Sequence, residues 1–209
     1  MSRKFITASK ARVTLNRVQL EKDIFVKGAR SVAKELRPII ERRIDEAQEE
    51  MLKAFESHPV TMEIKAGPRS SNLSGLLGGQ GNLFSFIGFD VGSNPTDPIS
   101  QELRKKIRFT IQRRSNNGKY SVKMLIPSKE ELESVAPIPW LSGRSWIDGI
   151  EKGLAGLGSY LYSSSGIPNS RSGTGIQSGK TVRSGVSLKG SKYVSAILND
   201  FKKRLSKLS

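Results

Sequence analysis

The chain has no cysteine and a single histidine, His58, among its 209 residues. Without cysteine there can be no disulfide, no thiolate metal site and no cysteine nucleophile. One imidazole cannot build a histidine metal site or a pair of catalytic histidines. Long apolar runs are missing too, since none approaches the roughly 20 residues needed to cross a bilayer. The basic N-terminus also lacks the apolar stretch of a secretory signal, so we expect a soluble protein made in a cytoplasm.

Apolar residues are scarce throughout. Hydrophobic residues make up 36% of the chain and aromatic residues 7%, whereas roughly 45–50% of a typical globular domain is apolar. A hydrophobic core can form, but not from the whole chain. We therefore expect one α+β domain over 1–209, with a basic N-terminal arm (1–18) and a Ser/Gly-rich basic segment (163–190) before a C-terminal helix (191–208).

Positive charge is abundant but unevenly distributed. The formal net charge of +16 suggests by itself a nucleic-acid partner. Residues 1–18 carry five basic residues and no acid, and residues 171–209 carry nine basic residues against Asp200 alone. Residues 19–170 therefore have a net charge of only +3. Two basic arms that flank a nearly balanced body suit contacts with acidic neighbouring subunits or with nucleic acid.

The spacing of apolar residues predicts a long helix over 19–57. Apolar side chains recur at three- and four-residue steps along one stripe, and charged side chains fill the other faces. Pro38 lacks a backbone N–H and crowds the preceding turn, which predicts a kink or a break near Arg37. We expect the helix to end before Pro59, because the residue before a proline is pushed toward extended conformations.

Period-two alternation predicts short strands after this helix. The strongest case is the pair 107–111 and 120–126, since Asn117-Gly118 between two alternating runs is a hairpin signal. Residues 60–64 also alternate, and the apolar run 84–89 predicts a strand buried on both faces. The Gly/Ser-rich residues 67–82 predict a long loop.

Helical spacing returns in the C-terminal third of the chain. Residues 146–161 have this spacing but contain four glycines, each costing about 1 kcal/mol relative to alanine, so the helix needs tertiary contacts to form. Residues 163–190 predict an extended or disordered segment, and 191–208 predict a short amphipathic helix. The expected fold is α+β, with a long N-terminal helix packed on a small antiparallel β-sheet, a C-terminal amphipathic helix and extended basic arms.

Three motifs that could carry chemistry have simpler structural interpretations. The run 173–181 ends in Gly-Lys-Thr like a phosphate-binding loop, but Thr174 stands where that motif needs its first glycine. A polar segment also precedes it in place of a buried strand. His58 is interpreted as a helix cap or surface residue, and Ser128 with Glu131 as a capping box. We predict no catalytic, cofactor-binding or metal-binding residues.

A tryptophan-containing loop is the best candidate for contact with other proteins. Two tryptophans and an arginine in a proline-rich loop suit an interface anchor, and burial of both tryptophans in the core is an equally good interpretation. The interface candidates are Trp140, Arg144, Trp146, Phe84, Phe86 and Phe89. The candidate contact residues of the basic arms are Arg3, Lys4, Lys10, Arg12, Arg171, Lys180, Arg183 and Lys189.

Three stretches of the chain together resemble a known class of protein. One leads from HPVT (58–61) through the glycine loop to GNLFSFIGF (81–89), and another from Trp140 through Trp146 into IEKGLAGLG (150–158). The third is the helix 193–205 after an Arg/Gly/Ser-rich arm. These stretches resemble virion structural proteins of tailed bacteriophages, in particular the tail-completion or neck class that joins head to tail. The resemblance spans roughly residues 20–205 and supplies no catalytic residues.

The resemblance implies a non-enzymatic structural role in the virion, at the head–tail junction, for a protein made in the host bacterial cytoplasm. Members of this class have an N-terminal helix packed on a small β-sheet and assemble as rings, commonly hexameric. The implied partners are copies of the chain itself, neighbouring neck, connector and tail proteins, and packaged DNA in the channel, with no membrane and no cofactor. The position as tail terminator, stopper or neck collar stays open.

Two other functional classes fit parts of the sequence less completely. A basic nucleic-acid-binding protein of the ribosomal or nucleoid kind explains the charged arms but not the balanced body or the aromatic run 84–89. An enzyme such as a nuclease or an assembly protease needs a carboxylate cluster, or a nucleophile with a base, and neither occurs with convincing spacing.

Overall fold

The computed structural model describes residues 29–79, 81–113, 120–153, 159–178 and 190–206. These residues have an α+β fold, as predicted. The described helices are α1 (Ala29–Glu56), α2 (Pro59–Lys65), α3 (Leu83–Ile87), α4 (Asp97–Arg104), α5 (Lys129–Ser134), α6 (Trp146–Lys152) and α7 (Val194–Ser206), and a 3₁₀ turn covers Gly67–Arg69. The described strands are β1 (Arg108–Arg113), β2 (Tyr120–Leu125), β3 (Pro137–Ile138), β4 (Leu141–Ser145), β5 (Ser159–Tyr162) and β6 (Gly175–Ser178).

The long N-terminal helix is confirmed over its described length, while 19–28 lie outside the described residues. The helix runs through Pro38, so the predicted break near Arg37 does not occur. Pro38 and Lys34 are both exposed, so water can replace the hydrogen bond that the Lys34 carbonyl loses at the proline. The side chains of α1 that enter the main core follow three- and four-residue steps: Ile44, Ala47, Met51 and Phe55.

Helix α1 packs along the C-terminal helix α7 and against α4. The α7 prediction is confirmed, with a buried face that includes Ile197, Leu198 and Phe201. Gln48 of α1 joins α4 through its side-chain amide, which donates hydrogen bonds to the carbonyls of Leu103 at 2.6 Å and Lys105 at 3.0 Å. Carbonyls at a helix end lack intrahelical partners, so this contact satisfies the end of α4.

The predicted hairpin is confirmed as β1 and β2. The two strands are antiparallel, with Arg108 opposite Leu125 and Gln112 opposite Ser121. The turn that contains Asn117-Gly118 lies outside the described residues. The hairpin is not part of one small sheet, because the described strands form three separate two-stranded antiparallel sheets, β1–β2, β3–β4 and β5–β6.

Two predicted strands are helices. Residues 60–64 lie in α2, where Pro59 occupies a first-turn position and His58 is the N-cap. Residues 83–87 form α3, a single helical turn that begins at the N-cap Asn82 and ends at Gly88, whose φ is +80°. The Asn82 side chain accepts a hydrogen bond from the Ser85 N–H at 2.9 Å. Local capping chemistry therefore overrides the apolar pattern in both segments.

The predicted helix 146–161 is shorter than expected. Helix α6 begins after the N-cap Ser145 and ends at Gly153, whose φ of +97° suits the left-handed conformation of a helix end. Residues 159–162 form strand β5 instead of a last helical turn. The β5–β6 hairpin packs against α3, and the Ser85 and Thr174 hydroxyls lie 2.6 Å apart. Residues 163–178, predicted to be extended or disordered, therefore belong to the folded body, with Gly175–Ser178 in an extended strand. Residues 179–189 of that prediction lie outside the described residues.

Candidate functional site

The predicted aromatic interface residues lie inside the protein. Phe84, Phe86, Phe89 and Trp146 are each at most 5% exposed, and they pack within the main core. The Trp146 ring lies 5.9 Å from Phe89 and 6.2 Å from Tyr193. Of the two interpretations of Trp146, the structure supports the core. These four side chains cannot contact a partner while the fold is intact.

Tyr193 sits at the centre of this aromatic cluster. Its ring lies 5.9 Å from Phe55 and 4.7 Å from His58, and its hydroxyl lies 2.6 Å from the Thr61 hydroxyl. Burial raises the pKa of Tyr193 well above its ordinary value. The hydroxyl therefore stays protonated near neutral pH, and its hydrogen-bond partner is the Thr61 hydroxyl.

His58 is a helix cap, as predicted. Its Nδ1 accepts a hydrogen bond from the Val60 N–H at 3.3 Å, and its ring packs on Tyr193. Burial lowers the pKa of His58 below 6.5, which favours the neutral form that this bond requires. The imidazole is thus engaged with the start of α2.

Glu63 is the most unexpected polar residue of the core, because the strand prediction left it on the polar, solvent-facing side. It is fully buried in α2. Its carboxylate accepts hydrogen bonds from the N–H groups of Ser74 and Leu83, both at 2.7 Å. The carboxylate thereby connects α2 to Ser74 in the glycine loop and to Leu83 at the start of α3. No signal in the sequence pointed to this role.

A surface groove lies beside the β3–β4 hairpin and has a volume of about 680 Å³. The residues that line it come from α5, the β3–β4 hairpin and α6, and they include Arg144, Asp148 and Lys152. Arg144 is exposed on β4, while Trp140 is half-buried and donates a hydrogen bond from Nε1 to the Ile87 carbonyl at 2.7 Å. Of the predicted interface residues, Arg144 lines the groove. Trp140 instead connects the β3–β4 turn to α3 through its hydrogen bond.

An ion-pair network adjoins this groove. Lys129 Nζ lies 3.0 Å from Glu151 Oε2, 3.1 Å from Glu133 Oε1 and 3.5 Å from Asp148 Oδ1. Burial alone would lower the pKa of Lys129, but the hydrogen bonds and charges of Glu151 and Glu133 raise it overall. In this cluster one lysine is surrounded by three carboxylates.

Glu151 links this network to the start of α7. Its Oε1 accepts hydrogen bonds from the Ser195 N–H at 2.7 Å and the Tyr193 N–H at 3.3 Å. Burial would raise the pKa of Glu151, but the Ser195 hydrogen bonds and Lys129 lower it overall. The capping box predicted at Ser128 and Glu131 is also present, at the start of α5. The acidic residues of this region therefore have structural partners.

The basic arms are mostly outside the described residues, which exclude Arg3, Lys4, Lys10, Arg12, Lys180, Arg183 and Lys189. Arg171 is described and exposed, and its carbonyl accepts a hydrogen bond from the Val91 N–H at 3.2 Å. In the run that resembled a phosphate loop, 175–178 form strand β6 of a hairpin. A phosphate loop instead leads from a strand into a helix, so this segment does not have that architecture.

Within the described ranges, no group of three or more acidic or histidine side chains is placed to hold a metal ion. No described helix is both long enough and apolar enough to span a membrane. Comparisons of the chain with protein-family models, with curated proteins and with solved structures found no match.

Proposed function

We propose that the chain is a non-enzymatic structural protein of a tailed-phage virion, at the neck or head–tail junction. It would act as a tail-completion, tail-terminator or connector protein and assemble with copies of itself into a ring, expected to be a hexamer. The proposal rests on the resemblance of the three sequence stretches, on the α+β fold that this resemblance implies, and on the surface described next.

The observation that carries the proposal is a set of exposed apolar side chains on and beside the β5–β6 hairpin. Val91 is 64% exposed, and Tyr162 and Ile176 are each 40% exposed. Tyr162 lies opposite Gly175 and Ile176 lies opposite Leu161, so Tyr162 and Ile176 are on opposite faces of the hairpin. The hydrogen bond from the Val91 N–H to the Arg171 carbonyl joins the segment after α3 to the connection between β5 and β6. These exposed apolar side chains offer contacts to another protein.

A ring needs two different surfaces on each subunit, because the contacts run head to tail. An exposed apolar side chain also occurs far along the chain from the β5–β6 hairpin, at Ile39 of α1. The edges of the three two-stranded sheets have no further strand partner among the described residues. Such edges can pair with a neighbouring chain. These features supply candidate surfaces for both sides of a subunit contact.

The test is the mass of the full-length protein by light scattering over a concentration and salt series, with negative-stain imaging of the particles. We expect closed rings. The variant Val91→Asp/Ile176→Asp should shift the population toward monomer, because a buried unpaired carboxylate opposes association. Met62→Asp, an equally exposed apolar position in α2, is the matched control and should still form rings.

A wild-type chain that stays monomeric at every concentration and salt would contradict the ring proposal. If such a monomer bound DNA tightly and with steep salt dependence, the alternative of a basic nucleic-acid-binding protein would replace it. If the Val91→Asp/Ile176→Asp variant still forms rings, the ring proposal stands and the hairpin surface is not the subunit contact.

A further inference from the structure

The nearly balanced charge of residues 19–170 conceals a strongly basic segment. Residues 103–128 contain eight lysines or arginines and no acidic residue. Since 19–170 have a net charge of +3, the remainder of that range has a net charge of −5. This basic segment coincides with the end of α4 and the β1–β2 hairpin.

The two faces of the β1–β2 hairpin differ in chemistry. One face is apolar and turned to the core, with Val122 and Met124 buried. The other face is turned to solvent, where Arg108, Thr110 and Gln112 of β1 are exposed. Their cross-strand neighbours on β2 are Leu125, Lys123 and Ser121. We call these six residues the outer face of the ribbon.

Three cations of this face and of the segment leading into it have no ion-pair partner within the described chain. Lys106, Arg108 and Lys123 form no ion pair with any described carboxylate. Lys105, just before β1, pairs with Glu102 at 2.5 Å. Elsewhere on the surface the arginines of α1 tend to have partners, as Arg42 has in Glu46. The ribbon is therefore a local source of positive potential.

We infer that the outer face of the β1–β2 ribbon binds the sugar-phosphate backbone of double-stranded DNA without reading its sequence. Five of its six side chains, all but Leu125, can donate hydrogen bonds, and none is a carboxylate. Arginine, lysine, serine, threonine and glutamine are the side chains that contact phosphates in protein–DNA complexes. From Arg108 to Gln112 the strip is about 14 Å long. Each strand of duplex DNA carries one negative charge per roughly 3.4 Å of helix axis, so the strip spans several phosphates.

An acidic surface on a second copy of the chain fits the ribbon less well. The densest exposed acidic run of the described residues is 45–50 in α1, which contains Asp45, Glu46, Glu49 and Glu50. Glu46 already pairs with Arg42, and Glu50 pairs with Arg204. Half of that negative charge is thus paired within the subunit, whereas DNA phosphates are accompanied only by mobile counterions, which bound lysines and arginines release. The inference does not depend on the ring proposal, because the ribbon can bind DNA in a monomer or in a ring around a DNA channel.

The test compares full-length variants in binding to a short fluorescein-labelled double-stranded DNA, measured by anisotropy over roughly 50–200 mM salt. The ribbon variant is Arg108→Gln/Lys123→Gln. The first control is Lys34→Gln/Arg43→Gln, which removes two exposed charges from α1. The second control is Arg3→Gln/Lys4→Gln, which removes two charges from the N-terminal arm.

We expect the ribbon variant to bind at least about tenfold more weakly and to lower the slope of log affinity against log salt by about 2. The α1 control should bind like the wild type. Light scattering and circular dichroism of each variant report ring formation and folding separately. If the ribbon variant fails to fold, Lys106→Gln/Lys123→Gln replaces it.

Wild-type affinity and slope in the ribbon variant would overturn the inference, and a loss confined to the arm variant would move the DNA contact to the arm. Loss of ring formation with unchanged DNA binding would identify the ribbon as a subunit contact and also overturn it. A monomer whose DNA binding depends on Arg108 and Lys123 would support the ribbon inference while rejecting the ring.

Discussion

Residues 60–64 and 107–111 have the same alternation of apolar and polar residues, yet the first segment is helical and the second leads into and forms a strand. In the strand, alternation separates the buried from the exposed face. In helix α2 the buried residues are Val60, Thr61, Glu63 and Ile64, while the apolar Met62 is 47% exposed. The comparison teaches that a five-residue alternating run is compatible with either structure, and that its neighbours decide.

The neighbours of the two segments differ in two ways. His58 and Pro59 start a helix directly before 60–64, through a side-chain cap and a proline in the first turn. The segment 107–111 instead has a second alternating run close behind it, and the two pair as β1 and β2. A strand needs such a partner for its backbone hydrogen bonds, whereas a helix satisfies its own.

The largest expected effect is on Glu63, whose burial exists only because 60–64 is a helix. Glu63→Ala leaves the Ser74 and Leu83 N–H groups without their acceptor, so we expect a loss of about 4 kcal/mol in the free energy of unfolding. Glu63→Gln retains one acceptor oxygen and should lose about half as much. Urea denaturation measures both, and an effect of Glu63→Ala within about 0.5 kcal/mol of zero, typical of surface sites, would contradict the helical placement.

Alanine substitution of neighbouring apolar residues sharpens the same comparison. In α2, Ile64→Ala should cost about 3 kcal/mol because Ile64 is fully buried. Met62→Ala should cost less than about 0.5 kcal/mol because Met62 is exposed. A strand over 60–64 would place the two side chains on one face and give them similar effects. Thermal or urea denaturation of the two variants therefore distinguishes the structures.

The hairpin supplies the matched expectation for a true strand. Val122 is buried and Lys123 is exposed. Val122→Ala should cost about 2 kcal/mol, and Lys123→Ala less than about 0.5 kcal/mol. Equal losses of unfolding free energy at these two positions would contradict the assignment of the inner and outer faces of the ribbon.

The last expected effect concerns Glu151 and depends on pH, because this carboxylate bonds backbone N–H groups as Glu63 does but at a charged site. Its pKa in the folded protein lies below the ordinary value of 4.5. Its contribution to stability is therefore present above that value and is lost as the pH falls through the folded pKa. The difference in unfolding free energy between wild type and Glu151→Gln should be larger near pH 7 than near pH 3. A difference that is constant across this range would show that the charge of Glu151 is unimportant.

Elements with strong local signals could be predicted from the sequence. Helices α1 and α7 have long apolar stripes, and the β1–β2 hairpin has two alternating runs with a short connection. The capping box at Ser128 and the cap at His58 depend on residues within three positions of each other. Each of these signals is complete within one short segment, so no distant contact was needed to interpret it.

The errors have two sources, local caps that the apolar pattern outweighed and contacts between distant segments. Within the run 84–89, the residues up to Ile87 belong to the helical turn α3, which Asn82 and Gly88 cap and the core surrounds. The polar residues 163–178 fold because their hairpin packs on α3, partly through the Thr174 hydroxyl. Composition alone suggested an extended or disordered segment without packing partners, since a hydroxyl that bonds a buried partner looks the same in sequence as one in water.

The candidate surfaces show the same division. The charge summed along the sequence placed the excess in the two arms and gave a nearly balanced body. This sum hid the basic ribbon, because only strand pairing brings Arg108 and Lys123 onto one face. The sequence suggested aromatic residues as interface anchors, but four of them are buried in the core. Exposure of Val91 and Ile176 could not be inferred, because their neighbours in sequence do not determine what covers them.

The amino-acid sequence by itself determined the fold class, the absence of cysteine chemistry, the two longest of the described helices and the hairpin, because short-range periodicity and capping encode these features. Only the tertiary structure decided that Glu63 is buried, that Trp146 and Tyr193 share one core, and that one face of β1–β2 is both basic and open. Burial and the clustering of charges depend on which distant segments of the chain are in contact. Those contacts are determined by the packing free energy of the whole chain.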